Sequence, residues 1–119
     1  MHSPATSLEP LQSAARTCQT LKAWLLDHAY TLWWAQGADY ERGGFYERLS
    51  TEGLGLMEPR RARVNPRQIY CYSYAQDLGW TGPAEQAVEH GLSYFLQHYR
   101  RPDRLFRGLV NPDGSVVTE

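Results

Sequence analysis

The 119 residues are 42% hydrophobic and 13% aromatic, which is enough apolar material for one small folded domain and excludes a disordered chain. The 12 basic and 13 acidic side chains leave a formal net charge of -1, which gives no reason to expect nucleic acid or an acidic membrane surface as a partner. No stretch approaches the roughly 20 apolar residues that cross a bilayer or forms a signal peptide, and the two cysteines lack paired spacing, so we expect a cytoplasmic protein.

The first predicted element is a long amphipathic helix from about residue 8 to residue 34 or 35. Apolar or small residues recur at the spacing of one helix face, namely Leu8, Leu11, Ala15, Cys18, Leu21, Leu25, Ala29 and Leu32. A group of glycines from Gly37 onward breaks this period. Residues 45–57 then predict a short strand, a turn at 51–53 and a weak return strand, which together form a hairpin between two helices.

The second predicted helix has a readable start signal. Asn65 is expected as the N-cap, Pro66 as the first helical residue, and Gln68 as the side chain that reaches back to the cap. The helix should run to Leu78, with Gly79 as its stop. A start one turn earlier, which would absorb residues 63 and 64, fits the pattern as well.

One face of this helix carries an arginine and two tyrosines. The residues that share the face are Arg67, Tyr70, Cys71, Tyr74 and Leu78. Arg67 in the first turn opposes the positive end of the helix dipole, so it should have a compensating partner. That partner is either a carboxylate such as Glu58 or Asp77, or the oxygens of a polyhydroxylated ligand that stacks on the tyrosine rings, and the residues favour neither.

The third predicted helix begins at residues 82 and 83 and has a one-sided packing stripe. The stripe consists of Ala84, Ala87, Val88, Gly91, Leu92, Phe95 and Tyr99. Residues 104–117 follow as a strand, a type I turn with the sequence Asn-Pro-Asp-Gly, and a second strand. The plan of helix, hairpin, helix, helix, hairpin suggests paired inner and outer helices of a toroid, of which three helices would be a quarter of about 12.

Common catalytic and cofactor motifs are missing from the sequence. It contains no phosphate-binding glycine loop, no zinc motif and no catalytic triad, so we expect neither a cofactor nor a metal. Cys18 and Cys71 are predicted to be core residues because their neighbours are apolar. His90 lies in a packing helix and is predicted to be a hydrogen-bonded structural histidine.

Charged residues surround the first predicted hairpin. Three carboxylates, Asp39, Glu41 and Glu47, are more typical of solvated charges or ion-pair partners for the nearby arginines than of the paired acid and base of a glycoside hydrolase. The arginines that precede the second helix, Arg60, Arg61 and Arg63, are expected to face solvent.

Four motifs in this order resemble the N-terminal part of the N-acylglucosamine 2-epimerase superfamily, which includes mannose isomerases and cellobiose 2-epimerases. They are GADYERGGFYERLSTEG, RVNPRQIYCYSYAQDLGW, AVEHGLSYFLQHYRRPD and LFRGLVNPDGSVV. The resemblance covers about residues 33–117 and implies part of an (α/α)6 barrel, whose active site lies at the mouth of the inner ring. The arginine-rich entry to the second helix is most similar to the mannose isomerase branch.

The resemblance also implies roles for individual residues. The arginine of the family motif matches Arg67 and is expected to hold the oxygens of an enediolate intermediate. The family's acid and base histidines lie on later helices, and His2, His28, His90 and His98 do not match them. Pro66 is a departure from the family motif, because the family more often has a small or polar residue at this position.

We therefore expect an all-α fold with short hairpins between helices, and residues 1–119 as a single incomplete domain. The expected function is isomerisation or epimerisation of a sugar, with Arg67 as the catalytic residue and with Arg67, Tyr70 and Tyr74 as substrate-binding residues. The chain alone should lack catalytic competence, and an oligomer or a C-terminal remainder should cover the open edge of the barrel. The alternative is a non-catalytic helical module that binds a partner.

Overall fold

The computed structural model describes residues 4–119, with side chains from Leu8 onward, and its first element is one continuous helical rod. The rod consists of α1 (Pro4–Trp24), a π-helical turn (Leu25–Ala29), the single turn α2 (Tyr30–Leu32) and a second π-helical turn (Trp33–Gly37). The predicted long helix is therefore confirmed, and it ends at the first glycine of the loop. None of the described helices combines the length and the apolarity needed to cross a membrane.

Three further helices follow the loop after the rod, and the first of them begins near the predicted start signal at residues 65–68. They are α3 (Val64–Ser73), α4 (Ala75–Leu78) and α5 (Ala84–Tyr99). The second predicted helix is divided at Tyr74 into α3 and α4, so its predicted unbroken course to Leu78 is wrong. Its predicted stop is confirmed, because Gly79 ends α4 with φ +112°, a left-handed conformation that glycine adopts without steric penalty. Helices α3 and α5 pack closely at Gly91, where a Cβ atom would lie 2.8 Å from Cγ1 of Ile69.

The predicted N-cap at Asn65 is wrong. Helix α3 begins at Val64, and the N-cap Arg63 makes no side-chain capping bond. Asn65 is instead buried, and its Oδ1 accepts a hydrogen bond of 2.9 Å from the backbone N–H of Phe45. A buried N–H group needs an acceptor, and the Asn65 side chain accepts from Phe45 in the loop instead of capping the helix.

Strands form a single small sheet rather than two separate hairpins. The sheet has the antiparallel order β1 (Arg60–Arg61), β2 (Leu109–Val110), β3 (Val116–Thr118). The hairpin of β2 and β3 is confirmed, and its turn closes by a 2.8 Å hydrogen bond from Gly114 N–H to Asn111 C=O. Residues 45–57 contain only isolated bridges in place of the predicted strands, and β1 was not predicted. The fold is therefore helix-rich with one small antiparallel sheet across its loops, which agrees in part with the expected helical fold with short hairpins between its helices.

An aromatic cluster forms most of the core. Tyr30 from the rod packs against Tyr72 of α3 and against Trp80, with ring centroids 5.3 and 5.5 Å apart. The Tyr72 hydroxyl donates a 2.6 Å hydrogen bond to the Tyr30 carbonyl, and the Tyr30 hydroxyl donates one of 3.0 Å to the Cys71 carbonyl. These bonds join the rod to α3 and satisfy hydroxyl groups that would otherwise destabilise an apolar core.

Both cysteines lie outside this core, which corrects the prediction for them. Cys18 is exposed on α1, where residues 8–24 are all exposed, and Cys71 is exposed on α3. The apolar stripe of α1 therefore has no partner within residues 4–119 until the rod reaches the core near Leu25.

Candidate functional site

Helix α3 has one buried and one exposed face. Asn65, Tyr72 and Ala75, from α3 and the start of α4, are buried, whereas Arg67, Tyr70, Cys71 and Tyr74 are exposed. Arg67, Tyr70 and Tyr74, which we call the α3 face, thus lie together on the side that faces away from the core. Tyr70 and Tyr74 are 65% and 50% exposed, and their ring centroids lie 5.1 Å apart.

Arg67 makes neither of the ion pairs considered from the sequence. Glu58 is bound by Arg48 through a 2.7 Å contact between Nη2 and Oε1, and Asp77 has no arginine partner in the part of the chain that the structure describes. Within residues 4–119, no carboxylate lies within 4.0 Å of the Arg67 guanidinium. Its five N–H donors are therefore available to a ligand, beside two aromatic rings.

Arg60 is fully buried, contrary to the expectation that it faces solvent. It pairs with the equally buried Asp39 at 2.5 Å between Nη2 and Oδ2, and its Nη1 donates to the Gly43 carbonyl at 3.0 Å. The guanidinium lies 5.1 Å from the ring centroids of both Tyr46 and Tyr94. Side chains alternate along β1, so Arg60 enters the core while Arg61 remains half exposed.

The loop carboxylates are ion-pair partners, as the sequence suggested. In addition to its pairing with Arg60, Asp39 accepts hydrogen bonds on Oδ1 from the backbone N–H groups of Glu41 and Arg42, at 3.1 and 3.0 Å. Glu47 pairs with Arg61 through the Nε atom of that arginine. Because Asp39 is buried and fully bonded, it is unsuited to acid–base work on a glycoside.

Asp39 gives a prediction for acid pH. Burial alone would raise its pKa, but the hydrogen bonds from Arg60 and from the backbone of Arg42 outweigh burial and hold the pKa below 3.8. A lowered pKa in the folded state stabilises the fold above about pH 3.8, and this stabilisation is lost as the pH falls through the folded-state value. Carboxyl NMR should therefore show a titration midpoint for Asp39 below 3.8, with the free energy of unfolding decreasing in the same range. A midpoint at or above 3.8 would contradict this assignment.

The histidines do not form a metal-binding cluster in the described part of the chain. No three His, Cys, Asp or Glu side chains of residues 4–119 converge as metal ligands do. His90 is a hydrogen-bonded structural histidine, as predicted, because its Nε2 lies 2.7 Å from the Gly44 carbonyl and therefore carries the proton.

This helix-rich chain belongs to the N-acylglucosamine 2-epimerase (GlcNAc 2-epimerase) family, whose profile matches residues 44–119. Over 97 residues it is 41% identical to the mannose-6-phosphate isomerase of Rhizobium meliloti (strain 1021). The matched region covers 82% of this chain and 25% of that protein. Its fold is similar to cellobiose 2-epimerase from Spirochaeta thermophila DSM 6192, with a TM-score of 0.76 at 26% identity over 95% of this chain and 28% of the other. The chain thus spans about a quarter of the length of these relatives.

Proposed function

We propose that this chain supplies the N-terminal part of the substrate site of a sugar isomerase or epimerase. The reaction would be an aldose–ketose isomerisation such as mannose to fructose, or a 2-epimerisation of an N-acylglucosamine. The observation that carries the proposal is the exposed Arg67 guanidinium, which has no carboxylate partner within residues 4–119 and lies on one helix face with Tyr70 and Tyr74. Membership of the epimerase family supports it.

The proposed architecture is one section of an (α/α)6 barrel, in which residues 1–119 form a single incomplete domain. The similarity to 28% of the length of the cellobiose 2-epimerase supports this arrangement. Helix α3 would be an inner helix, because its exposed face carries an arginine and two tyrosines. The exposed apolar side chains Leu21 and Trp24 of α1, and Leu92 and Leu96 of α5, would contact the remainder of the barrel.

The chemistry assigned to the α3 face is stabilisation of negative charge. Removal of the C2 proton next to the sugar carbonyl forms an enediolate, or an enolate where C2 carries an acylamino group. Return of the proton to C2 on the other face gives the epimer, whereas its delivery to C1, with transfer of a hydroxyl proton from O2 to O1, gives the ketose. Arg67 would donate hydrogen bonds to the enediolate oxygens as their charge develops. Tyr70 and Tyr74 would provide stacking surface for the apolar side of the sugar ring.

The general acid and base of this reaction would come from outside this chain. His90 is bonded to the Gly44 carbonyl, and His98 lies near the end of α5, so neither belongs to the α3 face. We therefore propose that the 119-residue chain alone has no isomerase or epimerase activity.

A chimera tests this proposal. Residues 1–119 would replace the matching N-terminal segment of the isomerase relative, and 41% identity over the matched region favours a folded product. The chimera should interconvert mannose and fructose, either free or as their 6-phosphates, while the isolated chain should not. A folded chimera without activity, under conditions where the relative is active, would contradict the proposal, and turnover by the isolated chain would contradict the assigned incompetence.

A non-catalytic binding module is the second candidate function. The observation that favours it is the exposed apolar stripe of α1, which includes Leu8, Leu11 and Leu21. A stripe of this kind is typical of a surface that binds another helix, in a second copy or in a different partner. An inactive chimera, together with a stable oligomer of the isolated chain in sedimentation experiments, would favour the module over the enzyme.

A further inference from the structure

A groove of about 400 Å³ lies between the end of the helical rod and α5. Trp34 of the second π-helical turn and Tyr40 of the following loop line one side, and residues of α5 line the other. The groove contains no residue of the α3 face, so the proposed function makes no use of it. Its volume is at the lower end of the range for small-molecule sites, and would hold about one or two sugar rings.

The rings of Trp34 and Tyr40 on one side of the groove contact each other and His90 of α5. Trp34 meets the Tyr40 ring edge-to-face at 5.3 Å and the His90 ring at 5.5 Å with an interplanar angle of 90°. The Tyr40 hydroxyl donates to the Trp34 carbonyl, and His90 is held by the Gly44 carbonyl. These contacts fix the rings before any ligand arrives, although the Tyr40 side chain is 59% exposed. A preformed aromatic surface binds a ligand with little loss of side-chain entropy.

The other side of the groove is a row of hydrogen-bonding side chains. Four exposed residues of α5, Gln86, Glu89, Ser93 and Gln97, line the groove at spacings of three, four and four. Such spacings place side chains along one helix face. Two amides, a carboxylate and a hydroxyl supply both donors and acceptors, which is the requirement for binding neighbouring hydroxyl groups.

The charges at the groove favour a neutral ligand. Arg42 contributes positive charge but already pairs with Asp39 at 3.3 Å and with Glu41 at 3.5 Å. Glu89 contributes negative charge on the opposite side. An anionic ligand would meet Glu89 and a cationic ligand would meet Arg42, whereas a neutral polyol can bond with both.

We propose that this groove, between Trp34 and Tyr40 on one side and the polar row of α5 on the other, is a second saccharide-binding site that takes a neutral mono- or disaccharide. The site is open and half exposed, so binding is expected in the millimolar range. The site is separate from the α3 face, and the saccharide would bind there without reacting.

The test is a titration of the isotopically labelled 119-residue chain with D-mannose and with cellobiose, followed by NMR. Saturable shifts should appear at the Trp34 indole N–H and at the amides of Gln86, Ser93 and Gln97. Glycerol at the same concentration should not reproduce these shifts, because it has no ring to stack. An absence of saturable shifts in the groove with both sugars would overturn the proposal.

Two exposed tyrosines provide a matched pair of variants. Tyr40→Ala should weaken binding at the groove by up to about tenfold, whereas Tyr70→Ala on the α3 face should leave it unchanged. An unchanged affinity of the groove in Tyr40→Ala would overturn the proposal. Glu89→Gln keeps an acceptor and removes the charge, so saccharide binding should persist; loss of binding in this variant would contradict a neutral-ligand site. Because activity of the chimera is measured separately, failure of this site leaves the proposed function unaffected.

Discussion

Replacing Arg60 by alanine is expected to destabilise the chain by about 3–5 kcal/mol, which is much of the roughly 5–15 kcal/mol that holds a small domain together. The substitution leaves the buried carboxylate of Asp39 without its cation. It also removes the guanidinium that lies between the rings of Tyr46 and Tyr94 and opens a cavity there. Urea unfolding followed by circular dichroism would measure the loss.

The neighbouring arginine is the control for this experiment. Arg61 also has a carboxylate partner, Glu47, but its side chain is 52% exposed. Solvent screens such a pair, so Arg61→Ala should change the free energy of unfolding by only about 0–1 kcal/mol. If the two variants lost equal free energies of unfolding, burial would not be the reason for the stabilisation by the Arg60–Asp39 pair.

The helices could be predicted from the sequence because their signals are local. A period of 3.6 residues places the rod and α5, and the glycine at position 79 marks the end of α4. Strand β1 could not be predicted in this way. It consists of two arginines, and it exists because Arg60 and Arg61 pair with Val110 and Leu109, about fifty residues further along the chain.

The same distinction applies to the sites. Arg67, Tyr70 and Tyr74 could be placed on one face because their positions depend only on the geometry of one helix. The burial of Arg60 had no local signal, since its partner Asp39 lies 21 positions earlier in a loop. The groove beside Trp34 likewise depends on a tertiary contact between the rod and α5, which no periodicity within either element encodes.

Arg67→Ala in the chimera is expected to lower kcat by a factor of about 10²–10³ while leaving the fold intact. This factor is the effect typical of removing one preorganised donor to a developing oxyanion, and corresponds to about 2.7–4 kcal/mol. The side chain is exposed and has no carboxylate partner within residues 4–119, so the free energy of unfolding should change by less than about 0.5 kcal/mol. Steady-state kinetics with mannose, together with thermal unfolding of the same preparations, would measure both quantities.

Arg63→Ala is the control variant that distinguishes a specific role of Arg67 from a general effect of positive charge. Arg63 precedes Arg67 by one helical turn, is exposed, and also has no carboxylate within 4.0 Å in the described part of the chain. If Arg67 acts by hydrogen bonds to the enediolate, Arg63→Ala should retain most of kcat, because a charge that does not touch the reacting atoms stabilises them weakly through solvent. Similar decreases in kcat for both variants would instead indicate that the face acts through its total charge. A loss of stability in Arg67→Ala that matches its loss of activity would place Arg67 among the structural residues.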